Sequence, residues 1–326
     1  MAVPIDRSLE LPESQYFRAP KSQVKTGIAL HHTVGSAARH TLLFWGIDTD
    51  GSGKPRKVGT AFVIDRDGAV YQAFDPTAWA WQFGLPWPYA DKVRFEKRFI
   101  GIEIVSEGGL TEHRGRLYFG EVSLRLEKRR EEALDAGVRY RGYRWFDRYR
   151  PAQLDALGRL VDELCTRFSI PRVYPAAPFL YYGETLKSFE GVIGHAMVRS
   201  DKSDPAPDPD LWATLQTVAG LKPTEVPAPP IAIGGEARMT SEEKRASRLH
   251  NASRLDRMNV AAGSMVKTLL QALERRHVYL LLKTPAPDGH AVGYAVEHGD
   301  ARQVAPVARA LGFKNVTDRF LEVHGG

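Results

Sequence analysis

Apolar residues recur along the first two-thirds of the chain in two different patterns. Continuous apolar runs at 27–31, 99–105 and 192–195 are typical of strands that are buried on both faces of a sheet. Two β-rich runs, 60–64 and 69–72, flank an Asp-Gly turn and predict a β-hairpin. Together these segments predict a mixed central β-sheet.

Helices are predicted where apolar positions recur every three or four residues. The clearest is Pro151–Phe168, whose apolar positions are Leu154, Leu157, Val161, Leu164 and Phe168. Shorter helices are predicted at 37–44 and 210–218. Strands mixed with helices make residues 1–221 an α/β domain, in which helices flank the central sheet.

A proline-rich segment, 222–238, predicts a linker after this domain. Residues 239–326 then read as a small α+β module of unknown role. Its predicted helices are 241–258, 264–276 and 301–311, and its predicted strands are 278–282 and 291–296.

Composition narrows the class of protein further. Hydrophobic residues make up 43% of the 326 positions and charged residues 26%, as in ordinary globular proteins. The single cysteine, Cys165, excludes an internal disulfide and a multi-cysteine metal site, and its helical context predicts a core position. We expect no membrane span and no cleavable secretion signal, because the chain has no long apolar stretch and the N-terminus has no basic and apolar regions.

Both halves of the chain share the net charge of +6, and the densest run of arginines, interleaved with aromatic residues, is 114–150. The favoured interpretation is an insertion with a solvated charged surface. The alternative is attraction to an anionic polymer. Because no nucleic-acid motif accompanies the segment, cell-wall material is the better candidate partner and no nucleic-acid partner is expected.

Two histidines end the first apolar run, and side-chain alternation separates them. Neighbouring side chains on a strand point to opposite faces, so His31 and His32 cannot both bind one metal ion. His32 shares its face with the bulky Ile28 and Leu30. His31 shares its face with small residues suited to the floor of a cleft, so we predict His31 as the ligand.

The segment after the last apolar run supplies two further ligand types. His195 ends that run, and a polar loop of nine residues allows Asp204 to return to the same point. Together with His31 they form a set of two imidazoles and one carboxylate, which leaves a fourth position open on a zinc ion. We therefore predict a hydrolytic Zn²⁺ site.

Two charged residues are candidates for catalysis beside this site. Glu103 faces away from the isoleucines of its strand, and a carboxylate there is costly unless it is paired, wet or functional. It is the candidate general base for a water molecule. Lys202, two residues before Asp204, is the candidate for stabilising an oxyanion.

These motifs, in this order, resemble the type 2 N-acetylmuramoyl-L-alanine amidase family, which includes phage amidases, peptidoglycan recognition proteins and anhydromuropeptide amidases. The resemblance covers about residues 25–221. It implies that His31, His195 and Asp204 bind zinc, with Glu103 and Lys202 in catalysis. The segment 78–82 resembles the lining of the family's substrate groove, so Trp81 is a candidate substrate contact, with core packing as the equal alternative. Thr33 and Thr60 lie in the same motifs as candidate substrate contacts.

The chain departs from parts of the family at two positions. Thr60 stands where phage and recognition-protein members carry a catalytic tyrosine. A mechanism that uses this tyrosine is therefore not expected, and Glu103 is the favoured catalytic residue. The third ligand is an aspartate, as in the anhydromuropeptide branch, and not a cysteine. The implied activity is zinc-dependent hydrolysis of the amide between the lactyl group of N-acetylmuramic acid and L-alanine. The alternative is a non-catalytic peptidoglycan-binding protein that retains the fold.

The sequence leaves alternatives for the role of the C-terminal module and for the cellular location of the protein. A Gly-His strand at 289–294 faintly resembles a papain-like peptidase, but 225–326 contains no cysteine, which excludes thiol catalysis there. Wall binding and a protein partner are the alternatives for this module. We expect synthesis in the cytoplasm, followed either by muropeptide recycling there or by delivery to the cell wall as a lysin or effector.

Overall fold

The computed structural model describes residues 3–20, 22–119, 126–227, 279–283 and 292–296. The chain divides into two compact units, residues 1–234 and 235–326. The strands of the first unit are, in chain order, β1 (Ile5–Asp6), β2 (Gly27–His32), β3 (Phe62–Ile64), β4 (Val70–Gln72), β5 (Phe99–Ile104), β6 (Gly109–His113), β7 (Arg116–Phe119), β8 (Leu126–Lys128), β9 (Ala133–Tyr140), β10 (Tyr143–Asp147), β11 (Val173–Pro175), β12 (Gly191–Gly194) and β13 (Lys222–Thr224).

The helices of the first unit surround these strands. They are α1 (Ala38–Ile47), α2 (Tyr89–Arg98), α3 (Pro151–Phe168), α4 (His195–Val198) and α5 (Pro209–Ala219). Short 3₁₀ turns cover Glu13–Gln15, Arg130–Glu132 and Gly183–Ser188. Among the described residues, no helix combines the length and the apolarity that crossing a bilayer demands.

The central sheet has six strands in the order β1-β4-β3-β5-β2-β12. β3, β5, β2 and β12 run parallel, and β3 with β4 forms the antiparallel hairpin expected from the Asp-Gly turn. Every residue of β2 and β5 is buried, which explains their continuous apolar sequence. The predicted α/β fold with a mixed central sheet is confirmed.

Parallel pairing brings the carboxyl ends of β2, β5 and β12 to one edge of the sheet. In this register His31 lies beside Glu103, and Leu30 lies beside Gly194, the last residue of β12. The residue after Gly194 is His195, the first residue of α4. In open α/β sheets this edge is where ligands bind, and the fold places the candidate residues there.

The helices cover the sheet with the apolar positions that their sequences predict. α3 has the predicted bounds and buries Leu157, Val161 and Leu164, together with Cys165, in the main hydrophobic core. α1 and α5 start within one residue of the predicted positions. α2 was not predicted, because Phe95 is the single apolar residue that this helix buries and one residue gives no periodic pattern.

The insertion expected at 112–150 contains a second sheet. Five antiparallel strands pair in the order β8-β7-β6-β10-β9. The solvated surface predicted there is present, with many ion pairs, but the strands were not predicted. Leu110, Leu117, Phe119 and Ala133 form a small hydrophobic cluster of their own on this sheet.

A buried ion cluster joins the second sheet to the central one. Asp147, at the end of β10, is 1% exposed and accepts a hydrogen bond of 2.6 Å from Arg66 of the β3–β4 turn. Lys128 Nζ lies 3.0 Å from Asp147 and 2.9 Å from Glu107. Removing one partner would leave buried charge uncompensated, so the cluster fixes the two sheets together.

The second unit is described at two strands, β14 (Tyr279–Lys283) and β15 (Val292–Val296), which pair antiparallel. They overlap the strands predicted at 278–282 and 291–296. The helices predicted for this module lie outside the described residues.

Candidate metal centre

Three side chains from distant parts of the chain converge at the carboxyl edge of the central sheet. His31 Nδ1 lies 3.1 Å from His195 Nδ1, and Asp204 Oδ2 lies 3.1 Å from the first and 2.9 Å from the second. Among the described residues, these three are the group of histidine and carboxylate side chains able to hold one metal ion. The sequence had singled out the same three.

The loop between His195 and Asp204 is closed by its own backbone. The N–H of Ala196 donates to the carbonyl of Asp204 at 2.8 Å, which returns the carboxylate to the start of α4. Arg199 pairs with Asp201 inside the loop. Arg141, at the tip of the β9–β10 hairpin, donates to the carbonyls of Ala196 and Ser200 at 3.2 Å each and holds the loop from outside.

Burial and mutual charge set the protonation of these groups. Burial lowers the pKa of His195 to about 4, so this ring is neutral at pH 7. Burial opposes ionisation of Asp204, but the neighbouring histidines outweigh it and hold its pKa well below the usual range. Burial also opposes protonation of His31, yet Asp204, Glu103 and Gln82 together raise the pKa of this ring.

The donor atoms fit a zinc ion in kind and in spacing. Neutral imidazole nitrogen and carboxylate oxygen are zinc ligands, and a tetrahedral ion with bonds of about 2.0–2.1 Å places its ligand atoms about 3.3 Å apart. The three separations here, 2.9–3.1 Å, are close to that value. Three buried lone pairs at this spacing repel one another unless a proton or a cation lies between them.

The outer nitrogen of His195 has a partner that the sequence did not reveal. Its Nε2 lies 2.9 Å from the backbone carbonyl of Phe83. A carbonyl only accepts, so Nε2 carries the proton and Nδ1 presents its lone pair to the site. A main-chain acceptor of this kind leaves no signal in the sequence.

His32 points away from this group, as side-chain alternation requires. Its Nδ1 lies 3.5 Å from the hydroxyl of Tyr149, and its ring packs against Gly108. A Cβ added at Gly108 would be 2.7 Å from His32 Nε2, so the glycine makes room for the ring. Tyr149 also accepts from the N–H of Ala206, just after the metal-site loop.

Glu103 occupies the same sheet face as His31, one strand away. The two residues are direct register partners on parallel strands, so their side chains project to the same side. Glu103 is 7% exposed, and its charge contributes to the raised pKa of His31. This position suits a base for a water molecule held beside His31.

Lys202 lies in the metal-site loop and is partly buried. Its positive charge contributes to the lowered pKa values of His195 and Asp201. The predicted role beside the reacting carbonyl stays a prediction.

The two threonines predicted as substrate contacts hold backbone groups. Thr33 Oγ1 accepts from the N–H of Ser106 at 3.3 Å, which ties the end of β2 to the residue after Val105. Thr60 Oγ1 donates to the carbonyl of Phe62 at 3.0 Å, and its methyl group packs against Gly101. Contact of either hydroxyl with substrate stays a prediction.

Trp81 belongs to an aromatic cluster beside the segment that carries Phe83. Its ring packs edge-on against Trp79 at 5.1 Å and lies 6.3 Å from Tyr89, which is 70% exposed. Lys92 Nζ lies 5.6 Å from the Trp81 ring centre. Trp81 is half-buried, so it retains a surface for the predicted substrate contact.

Comparison with known proteins relates this arrangement to a family. A family model described as N-acetylmuramoyl-L-alanine amidase matches residues 21–207. A search among curated proteins found no match.

Several solved structures are similar to the chain at low identity. An AmpD derivative is 17% identical over 66% of this chain and 98% of its own, with a TM-score of 0.37. The amidase LysC from Clostridium intestinale URNW is 16% identical over 67% and 99%, with a TM-score of 0.36. The Drosophila peptidoglycan recognition protein SD is 13% identical over 69% and 99%, with a TM-score of 0.37.

Proposed function

Because the chain belongs to the N-acetylmuramoyl-L-alanine amidase family, we propose that it is a zinc-dependent peptidoglycan amidase. The family expected from the sequence motifs is confirmed by the match over residues 21–207. The proposed reaction is hydrolysis of the amide between the lactyl group of N-acetylmuramic acid and L-alanine of the stem peptide.

One observation carries this proposal: the convergence of His31, His195 and Asp204 on one buried point. A site that keeps all three donors is expected of a hydrolase, whereas loss of a ligand is typical of non-catalytic relatives. A bound zinc ion would supply Lewis acidity to the amide carbonyl and to the attacking water.

Glu103 moves the proton in the proposed reaction. Its carboxylate takes a proton from the attacking water as the new C–O bond forms at the lactyl carbonyl carbon. The same proton then passes to the nitrogen of L-alanine as the C–N bond breaks, so that a free amine leaves. Burial of Glu103 beside His31 keeps this transfer away from bulk water.

Lys202 is assigned to charge stabilisation in the same step. Its ammonium group belongs to the loop that ends at Asp204. In the proposed complex this loop holds the charge near the carbonyl oxygen of the substrate. A fixed positive charge there stabilises the oxyanion that develops in the transition state.

Metal analysis together with product mass spectrometry tests the proposal. The zinc-loaded chain is incubated with a soluble muropeptide, and the expected products are the sugar with a free lactyl carboxylate and the peptide with a free L-alanine amine. Asp204→Asn keeps the shape of the side chain but weakens the ligand, so this variant should lose both zinc and product. Zinc-loaded protein that releases neither product, from the soluble muropeptide or from intact sacculi, would contradict the proposal.

The same experiment separates the enzyme from a non-catalytic binding protein. A binding protein would bind the muropeptide and leave the mass of the muropeptide unchanged. Assaying intact sacculi beside soluble anhydromuropeptides distinguishes wall degradation from muropeptide recycling. We propose wall material as the substrate and delivery to the wall as the route, because the chain carries a second unit in addition to the amidase domain.

A further inference from the structure

The segment that carries Phe83 also reaches the second histidine of the candidate metal centre. Gln82 directs its side-chain amide over Gly101 of β5, where an added Cβ would be 2.3 Å from Gln82 Oε1. Gly101 pairs with Ala29 in register, two residues before the pair formed by His31 and Glu103. The Gln82 carbonyl therefore lies on the sheet face from which His31 projects.

Two buried polar atoms lie on this face of the sheet, Nε2 of His31 and Oε1 of Gln82. Neither has a hydrogen-bond partner elsewhere in the described residues. A hydrogen-bonding interaction with Gln82 contributes to the raised pKa of the His31 ring. The other end of the same amide is fixed, because Gln82 Nε2 donates to the carbonyl of Phe99 at 3.3 Å. This bond leaves Oε1 as the free acceptor of the group, and a ring N–H at His31 Nε2 is the matching donor.

Glu96 fixes the backbone of the segment 82–83, which contacts both histidines. It lies on α2, is fully buried, and accepts the N–H groups of Gln82 at 3.0 Å and Phe83 at 3.1 Å. With its amides held in this way, the segment turns the Phe83 carbonyl towards His195 and the Gln82 side chain towards His31.

We propose that Gln82 and Glu96 are positioning residues of the metal centre, forming an outer shell that orients both histidines. Gln82 accepts from Nε2 of His31, as Phe83 accepts from Nε2 of His195. Each ring then keeps its proton on Nε2 and directs the Nδ1 lone pair to the common point. Outer partners of this kind orient metal ligands and raise their basicity. The inference rests on the proposed zinc site and concerns its affinity for metal.

Zinc affinity of the full chain, measured by competition with a chromophoric chelator, tests the assignment. Gln82→Leu removes the acceptor at similar volume and should weaken zinc binding about 10–100-fold. Gln82→Glu keeps an acceptor for His31 but loses the N–H that donates to Phe99, so its zinc affinity should lie between those of wild type and Gln82→Leu. Glu96→Gln loses one of the two acceptor oxygens and should weaken zinc binding as well.

Gln72→Leu is the matched control. Gln72 is a buried glutamine of β4, 4% exposed, and its side chain bonds to Glu10 and not to a histidine. Its loss should leave zinc affinity within about twofold of wild type, even if thermal stability falls.

The outcomes separate the two proposals. If wild type binds one zinc tightly and Gln82→Leu binds it equally well, the outer shell is overturned and the zinc site stands. If wild type binds no zinc, the proposed metal centre fails and this inference fails with it. Should Glu96→Gln not fold, the two Gln82 variants still decide the question.

Discussion

The two sheets of the first unit place their charged groups in opposite environments. The central sheet buries His31, His32 and Glu103 inside strands that are buried at every position. The second sheet keeps most of its charges at the surface, in pairs such as Arg116–Glu127, Arg130–Glu112 and Arg144–Asp135. Buried polar groups are costly, so their concentration at one edge indicates where function is located.

The ion pairs of the second sheet also bear on the role of its many arginines. Arginines that are matched by carboxylates on neighbouring strands contribute little to a long-range positive field. This arrangement favours a solvated charged surface over a dedicated site for an anionic polymer. The comparison therefore predicts large functional effects in the central sheet and small ones in the second.

The largest effect is expected at Glu103. Glu103→Ala should retain zinc and lose about 10²–10⁴ in kcat, because the proton of the attacking water has no acceptor. Steady-state kinetics with metal analysis measures both quantities. Glu112→Gln, a surface carboxylate of β6, is the control and should keep wild-type kcat. A Glu103→Ala enzyme with near-wild-type turnover would remove this residue from the mechanism.

The next effect concerns the junction of the two sheets. Asp147→Ala leaves Arg66 and Lys128 without their shared buried carboxylate and should lower the free energy of unfolding by about 3–5 kcal/mol. Burial opposes ionisation of Asp147, but Arg66 outweighs it and lowers the pKa, so the carboxylate is charged in the folded state. Urea unfolding measures the change, and kcat of the folded fraction should be unaffected. An unfolding midpoint equal to wild type would show that the sheets do not depend on this cluster.

A smaller effect is expected from a buried amine just before β2. Lys25 is 3% exposed, donates to the carbonyl of Ala78 at 2.8 Å, and has a pKa lowered by burial to about 7. Between pH 7 and the ordinary value near 10.5 the unfolded chain keeps the proton that the folded chain has released. Stability should therefore rise with pH in this window, by at most about 1.4 kcal/mol per pH unit.

Lys25→Met removes the titrating group and should flatten this part of the pH profile. Urea unfolding at pH 7.5 and 9 compares the two proteins. If the difference in stability between these two pH values is the same for both, Lys25 does not titrate in this range.

The smallest effect is expected at the surface of the second sheet. Arg144→Gln breaks the pair with Asp135, whose pKa is lowered to about 2 by the Arg144 hydrogen bond. Exposed pairs of this type often contribute nothing measurable to stability. The unfolding midpoint and the binding to sacculi should both stay at wild-type values. A loss of sacculus binding would instead assign the second sheet to the wall.

The sequence predicted the central sheet well because its signals are local. Burial on both faces makes β2 and β5 continuously apolar, and the spacing in α3 is that of a one-sided helix. The strands of the second sheet have exposed, ion-paired surfaces, so charged residues interrupt the apolar alternation by which a strand is recognised. α2 was missed for a similar reason, since eight of its ten residues are not buried.

The sequence predicted the metal-binding side chains of the candidate site but not the groups that hold them in place. Alternation along β2 selected His31 over His32, and the strand-end position selected His195. The acceptor for His195 is a main-chain carbonyl at Phe83, and the support at Glu96 comes from an unpredicted helix. Both depend on tertiary contacts between residues more than ten positions apart, which periodicity does not encode.

X-ray absorption at the zinc edge of the zinc-loaded chain identifies the atoms that bind the ion. We expect a nearest shell of nitrogen and oxygen at about 2.0–2.1 Å, with outer scattering from two imidazole rings. In Asp204→Asn the occupancy of this site should fall. A sulfur shell at about 2.3 Å, or a zinc environment without imidazole scattering, would contradict the claim that His31, His195 and Asp204 hold the ion.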